Sequence, residues 1–554
     1  MTALDYVVIA LYFLVLFGIA WWAIKRERTG DQTSDDYFLA GRNVGWFVVG
    51  ASLFASNIGS EHLVGLAGAG ASSGVVLGQF ELQASLILLL LGWLFVPFYI
   101  KSGVYTMPEF LERRYSPAAR WYLAVISIIG YILTKISVTI YAGGVIFEAL
   151  MGINFWTGAV TIVVVTGLYT IFGGLLAVVY TDMLQAIVLL FGALCVTVFG
   201  LIEVGGWNVM VETAGSGMMN LWKPITDPNF PWTGMVFGAP IIAVWYWCTD
   251  QYIVQRTLAA RNITHARRGT IFGGFLKQLP LFIFVIPGII AYALVQQDQL
   301  VLGQADEALP TLVAALLPVG LRGLVAAGLL AALMSSLSSV FNSCSTLITL
   351  DVYKKLHPGA SERQLVWVGQ LATAALVVLG LAWIPMMSGI SGVLYEYLQS
   401  VQGYISPPIA AVFLLGLFWR RLNAVGAITS LLGGSAIGLL RLVAELNKDA
   451  LDGILYTFAN INFLHFAALL FLVCALLLIV VSLLTPAPPP EKVVGLTYET
   501  AEQKKQRTTT AKHQDEAPIE FPQMEDTPKA RQKDKIYSAI LLIIVAAVML
   551  YFTG

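Results

Sequence analysis

Apolar runs of about 20 residues or more, separated by shorter polar connections, recur along almost the whole chain. A membrane-crossing helix needs about 20 mostly apolar residues. Runs that meet this need cover 3–25, 44–73, 76–102, 118–149, 154–172, 174–203, 234–256, 266–297, 320–353, 364–386, 391–418, 423–446, 456–484 and 536–553, fourteen in all. They predict an all-α integral membrane protein that forms a single transmembrane unit across 1–554. The first run is too long for a cleavable signal and lacks a charged leader and a small-residue cleavage site, so it is expected to be a lasting helix.

Composition agrees. The mean hydropathy is +0.77; 58% of residues are apolar and 12% charged, about half the charge of an ordinary soluble domain. A formal charge of −1 offers no basic excess, so neither nucleic acid nor an acidic surface is implied as a partner. The four cysteines (Cys195, Cys248, Cys344, Cys474) lie in apolar stretches without zinc spacing or a disulfide framework. With no nucleophile motif, metal cluster or phosphate loop, an enzyme is the weakest reading. Nothing in the sequence calls for an obligatory protein partner.

Basic residues cluster in alternate connections: Lys25, Arg26 and Arg28; Lys101, Arg113, Arg114 and Arg120; Arg256, Arg261, Arg267 and Arg268; Lys354, Lys355 and Arg363; Arg420 and Arg421; and the 485–535 segment. Positive charge favours the cytoplasmic side, which puts both termini outside. The 485–535 segment opens with the proline run PAPPP and carries mixed charge without apolar periodicity. It reads as a flexible cytoplasmic loop.

Some runs are interrupted. Backbone at membrane depth must satisfy its own hydrogen bonds, so breaks occur where helices line a cavity or bury in protein. The second run holds GASLFASNIGSEHLVGLAGAGASSG, with Asn57, Glu61 and His62 where lipid-facing polar groups would be costly; the seventh holds WYWCTDQ and the eleventh SGISGVLYEYLQS. Counted from the second run, the first and sixth members of a ten-helix set are polar near mid-depth. Two halves of five helices must enter from opposite sides, so the pattern predicts an inverted repeat with its site at the interface. Many glycines need no more explanation than close helix packing.

These segments resemble the sodium/solute symporter family, and within it the sodium/glucose and sodium/myo-inositol cotransporter branch. The likeness runs through DYFLAGR, ASNIGSEHLVGLAGAGASSG, LGWLFVPFYIKSGVYTMPEFLERRY, the YTD at 180–182, WYWCTDQYIVQRTLAA, LAALMSSLSSVFNSCSTLITLDVYKK and YISPPIAAVFLLGLFWRR. It implies a LeuT-type 5+5 inverted-repeat core, halves at 44–203 and 234–418, with one extra helix before it (3–25) and three after it (423–484 and 536–553).

The resemblance also implies a site. The family's sugar contacts fall on Asn57, His62, Glu81, Ala243, Tyr246, Trp247, Lys277 and Gln399, with Tyr246 as inner gate. The residue types suit a ring of hydroxyls: Glu81 accepts, Lys277 donates, Asn57 and Gln399 do both, and Trp247 offers an aromatic platform. A carboxylate solute would ask for an arginine fork, absent from this set. Ala243 departs from the polar residue often found there and leaves one hydroxyl contact open. Two plainer readings stay open, Glu81 with Lys277 as a pair that only joins helices and His62 as a packing histidine.

For sodium, the resemblance implies a shared site of Ala55, Ile58 and Ala332 carbonyls with Ser335 and Ser336 hydroxyls, and a second site of Asp182, Ser335, Ser338 and Ser339. The serines of SSLSS repeat at i+3 and i+4 and face one way. Their plain alternative is helix packing or bonding to the preceding turn. Lys135 is expected to pair with Glu396, and Asp250 and Gln251 to brace the inner gate beside Arg256.

The expectation is therefore a secondary active symporter that imports a neutral hexose or myo-inositol by alternating access with two sodium ions. The rivals are a sodium symporter of another solute (monocarboxylate, pantothenate, choline, proline, sialic acid) and a sugar-gated sensor or leak protein. The membrane is the plasma membrane, or the inner membrane of a bacterium.

Overall fold

The computed structural model describes residues 1–27, 38–59, 61–303, 305–387, 394–500 and 526–553. The start of DYFLAGR lies outside the described residues, as do the side chains of Glu61 and Glu396 and therefore the expected Lys135–Glu396 pair.

Among the described residues ten helices are long and apolar enough to cross a membrane, and four shorter apolar helices accompany them: Trp46–Asn57, Pro117–Gly130, Val138–Glu148 and Phe155–Ile171. The helices used below are α1 (Ala3–Glu27), α2 (Trp46–Asn57), α3 (Ala67–Ser73), α4 (Gly78–Leu90), α5 (Pro117–Gly130), α6 (Ser137–Met151), α7 (Phe155–Val204), α8 (Ala239–Val244), α9 (Gln251–Leu258), α10 (Ile263–Leu276), α11 (Ile286–Gln296), α12 (Leu321–Thr346), α13 (Glu362–Met387), α14 (Leu394–Phe418), α15 (Ala424–Leu446), α16 (Phe463–Leu484) and α17 (Pro528–Tyr551). The two runs expected at 154–172 and 174–203 join without a loop into α7, 50 residues long.

The layers follow from who meets lipid. Of an apolar 18-residue stretch within Leu321–Leu356, which contains α12, 94% is buried, whereas of the corresponding stretch within Pro528–Tyr551 only 22% is. Serine-rich α12 is therefore a central post, packed against α2, α7 and α13, while α1, α16 and α17 show apolar faces outward. Glycine permits some contacts outright. A Cβ on Gly288 of α11 would lie 2.0 Å from the Ala67 carbonyl oxygen, and one on Gly70 of α3 2.3 Å from that of Val285. The packing reading of glycine holds here.

Two helices are broken at the places the sequence marked. α2 stops at Asn57, Ile58 is extended (φ −74°, ψ 103°), and a π-helical turn over Glu61–Leu66 leads into α3. In the second, α8 passes into a π-helical turn over Trp245–Thr249, Asp250 is extended (φ −80°, ψ 127°), and α9 begins again at Gln251. Asp250 caps α9 by accepting from the Tyr252 amide at 3.1 Å, which satisfies a donor that the break exposes.

Several basic residues of the clusters named above are ion-paired. Arg120 reaches Glu112 (2.5 Å) and Asp351 (2.6 Å), Lys355 also reaches Glu112 (2.6 Å), and Arg267 and Arg268 hold Asp534 at 3.1 and 3.0 Å. Near the chain ends Asp5 accepts from the Gly320 amide (2.7 Å), and the Phe552 carbonyl accepts from the Leu221 amide (2.9 Å).

The 485–535 segment departs from the expectation of a flexible loop at both ends. Lys492 donates to the Glu112 carbonyl at 2.8 Å, Tyr498 lies between the rings of Phe98 (5.7 Å) and Phe418 (6.0 Å), and Val493, Leu496 and Thr500 are buried. Four apolar or hydroxyl side chains in VVGLTYET suffice to pack this short stretch, although they show no helical or strand period. At the far end α17 starts at Pro528, eight positions before the expected 536, because Thr527 caps it and proline suits the first turn. Residues 501–525 lie outside the described residues.

Candidate functional site

The cavity at the centre is lined by Asn57, His62, Phe80, Glu81, Ala84, Lys135, Val138, Ala239, Ile242, Ala243, Tyr246, Trp247, Lys277, Gln399 and Gln402. All eight expected sugar-contact positions are in that lining. They come from the two broken helices, α4, α10 and α14. Asn57 ends α2, His62 follows the break, Glu81 sits in the first turn of α4, Tyr246 and Trp247 belong to the second break, Lys277 closes α10 and Gln399 lies on α14.

Their polar groups form one connected set. Lys277 is ion-paired with Glu81 and donates to the Asn57 side-chain oxygen at 2.5 Å. The Asn57 amide then donates to the Tyr246 hydroxyl at 3.0 Å. His62 meets the Gly59 amide through Nδ1 (3.4 Å) and faces both Glu81 (3.2 Å) and the Lys277 ammonium (3.5 Å) through Nε2. The Lys277 ammonium also lies 5.6 Å from the centre of the Trp247 ring. Glu81 and Lys277 are both buried, so their charges balance within the site.

Lys135 is a lining residue that sequence reasoning left out of the site. Its ammonium donates to the Tyr246 hydroxyl (3.3 Å) and lies 4.7 Å above the Tyr246 ring and 5.4 Å above that of Tyr252. The signal available was its intramembrane charge.

On the far side of the α2 break lies a second polar cluster. Ser336 donates to the carbonyls of Ser56 (3.3 Å) and Ile58 (3.2 Å), which binds α12 to the unwound backbone. Ala55 and Ala332 are buried on the same two helices. Ser335 donates to Asp182 Oδ1 at 2.6 Å, while Asp182 Oδ2 accepts from Ser52 (2.7 Å) and Ser56 (3.0 Å). Ser339 donates to Ser56 at 3.0 Å; Ser338 turns back to the Ser335 carbonyl at 3.0 Å, the plain alternative for that residue.

Three members of this cluster were missed. Ser52 and Ser56 stand one helical turn apart on α2, a spacing that places both on the face toward Asp182. Arg256, expected near Asp250, also extends its guanidinium to within 3.7 Å of Asp182 and donates to Ser52 at 3.1 Å.

Comparison with known proteins fits this geometry. Residues 37–434 match the sodium:solute symporter family. The chain belongs to that family. Within this symporter family it is 41% identical over 481 residues to sodium/glucose cotransporter 1 of Oryctolagus cuniculus, covering 80% of this chain and 72% of the relative. It is 42% identical over 484 residues to the sodium/myo-inositol cotransporter of Mus musculus, covering 80% and 67%. It is 40% identical over 533 residues to sodium/glucose cotransporter 4 of Mus musculus, covering 90% and 78%. A solved structure of a Na+-coupled sialic acid symporter superposes with a TM-score of 0.76 at 22% identity, over 88% of this chain and 99% of that one. That match establishes the LeuT-like fold. The symporter is a multi-pass membrane protein, its relatives are transporters, and sodium is the ion it carries.

Proposed function

We propose that this symporter is secondary active and imports a neutral hexose or myo-inositol by alternating access, with two sodium ions for each solute. The observation that carries the reading is the convergence of Asn57, His62, Glu81, Lys277 and Gln399 with the rings of Tyr246 and Trp247 on one cavity at the two helix breaks. The lining named above contains no arginine, and its two lysines bond to Glu81, Asn57 and Tyr246. Mixed donors and acceptors with an aromatic wall favour a polyol over a carboxylate. The names of the relatives, sodium/glucose and sodium/myo-inositol cotransporters, support the same solute class.

In this reading Tyr246 is the inner gate. Sodium at the Ala55, Ile58, Ala332, Ser335 and Ser336 site would hold the α2 break from one side while solute holds Asn57 from the other. Each ligand then favours the state the other needs, a reciprocal coupling. A second ion at Asp182, Ser335, Ser338 and Ser339 would add about 2.3 kcal/mol for each 100 mV of membrane potential, more than tenfold in attainable gradient since about 1.4 kcal/mol is tenfold. Both termini would face outside, with the basic clusters on the cytoplasmic side of a plasma or bacterial inner membrane.

The test is uptake into sealed vesicles holding the purified protein. Labelled glucose, galactose or myo-inositol should accumulate only with an inward sodium gradient, and competition among hexoses, pentoses, myo-inositol and sialic acid then ranks the solutes. Equal uptake with potassium would remove the mechanism, and displacement by sialic acid alone would move the solute to the acids.

A further inference from the structure

The Asp182 cluster holds a built-in cation. Arg256 meets the carboxylate by three routes: directly at 3.7 Å, through Ser52, and through Ser339 and Ser56. In both relays the hydroxyl protons point toward Asp182, and the oxygen nearest Arg256 gives its lone pair to the guanidinium. The Tyr252 carbonyl takes a further guanidinium N–H. Asp182 and Arg256 are both at most 1% exposed, so water does not screen the pair.

Of the ligands proposed for the second sodium ion, Asp182 and Ser339 are the two that Arg256 meets. While Ser339 accepts from Arg256, one of its two lone pairs is taken and the guanidinium stands against its oxygen. A sodium ion on Asp182 would also stand within a few ångströms of a fixed positive charge away from water, where like charges repel strongly. Arg256 lies on α9, the half-helix that restarts after the break at Asp250, and Tyr252 of the same half-helix donates to the Ser56 carbonyl next to the first break. The guanidinium is thereby tied to the position of α9.

We propose that Arg256 is a tethered competitor for the second sodium ion: it neutralises Asp182 when sodium is absent and must leave, taking α9 with it, before sodium binds there. The inference deepens the two-ion reading and rests on it. Arg256 is then a positioning residue that links ion occupancy to the inner half of the second broken helix, because either the ion or α9 in its present place satisfies Asp182, but not both.

Equilibrium binding of radiolabelled sodium to the purified full-length protein, without solute, tests this. Arg256→Gln should lower the half-saturating sodium concentration by about tenfold or more, and Asp182→Asn added to it should abolish the gain. Arg256→Lys keeps the charge and should stay nearer wild type than Arg256→Gln. Unchanged or weaker sodium binding in folded Arg256→Gln, with Asp182→Asn alone weakening it, overturns the competition and leaves the second site standing. No effect of Asp182→Asn on sodium would remove the second site itself. Should Arg256→Gln not fold, Ser52→Ala decides: it frees one guanidinium contact and is expected to tighten sodium by a smaller factor, and weaker or unchanged binding counts against the proposal.

Discussion

Asn57 donates its side-chain amide to the Tyr246 hydroxyl across 3.0 Å, and this bond joins the two broken helices at residues that directly precede or flank both breaks. One polar solute between these helices would exchange this bond for its own. A gate at Tyr246 and a solute site at Asn57, as proposed, would therefore share atoms.

Tyr246→Phe keeps the ring and removes the acceptor for Asn57 and Lys135. A net hydrogen bond contributes about 0.5–1.5 kcal/mol, so solute affinity should fall by up to about tenfold, and preloaded vesicles should leak solute faster. Efflux of labelled solute without sodium checks this; an efflux rate equal to wild type would free Tyr246 of a gate role.

The Glu81–Lys277 pair separates contact from scaffold. Lys277→Met alone leaves the buried Glu81 carboxylate with the His62 ring but without its cation, and should cost up to about 3–5 kcal/mol of stability. The double variant Glu81→Gln with Lys277→Met should regain thermal stability yet fail to take up sugar. Recovery of uptake in the double variant would make the pair a helix-joining device only.

Ser336→Ala removes the hydroxyl that ties α12 to the Ser56 and Ile58 carbonyls. Half-saturating sodium should rise several-fold, with a parallel loss of apparent solute affinity, as reciprocal coupling demands. Sodium titrations of uptake at two solute concentrations report both; a sodium effect without a solute effect would break the coupling through α2.

Asp182→Ala should bring the Hill slope for sodium in uptake assays toward one. An unchanged slope favours a single ion for each solute.

Acid should loosen the ion pairs of the basic clusters. Burial opposes ionisation of Glu112, but hydrogen bonds from Lys355 and Arg120 outweigh it; at Asp526 burial is likewise outweighed by Arg267 and Arg531, and both carboxyls are held below the usual range. Depressed folded pKa values mean stability that is present above the unfolded values near about 4 and is lost as pH falls through the folded ones. The unfolding temperature should hold steady from neutral pH to about 5 and drop below about 4, and Glu112→Gln with Asp526→Asn should flatten that drop. Scanning fluorimetry against pH gives the answer.

The sequence by itself determined the all-α membrane class and two of the three interruptions it marked, because hydropathy period and the clustering of Gly, Ser and Asn report directly on lipid contact and unwound backbone. Motif resemblance then carried Asn57, His62, Glu81, Tyr246, Trp247, Lys277 and Gln399 to a single cavity. Only the tertiary structure decided which charges meet. Arg256 reaches Asp182, Ser52 and Ser56 join that carboxylate, and Lys492 crosses to Glu112. Periodicity says which face of a helix avoids lipid, but the partner of a buried charge is set by distances of a few ångströms between residues far apart in the chain.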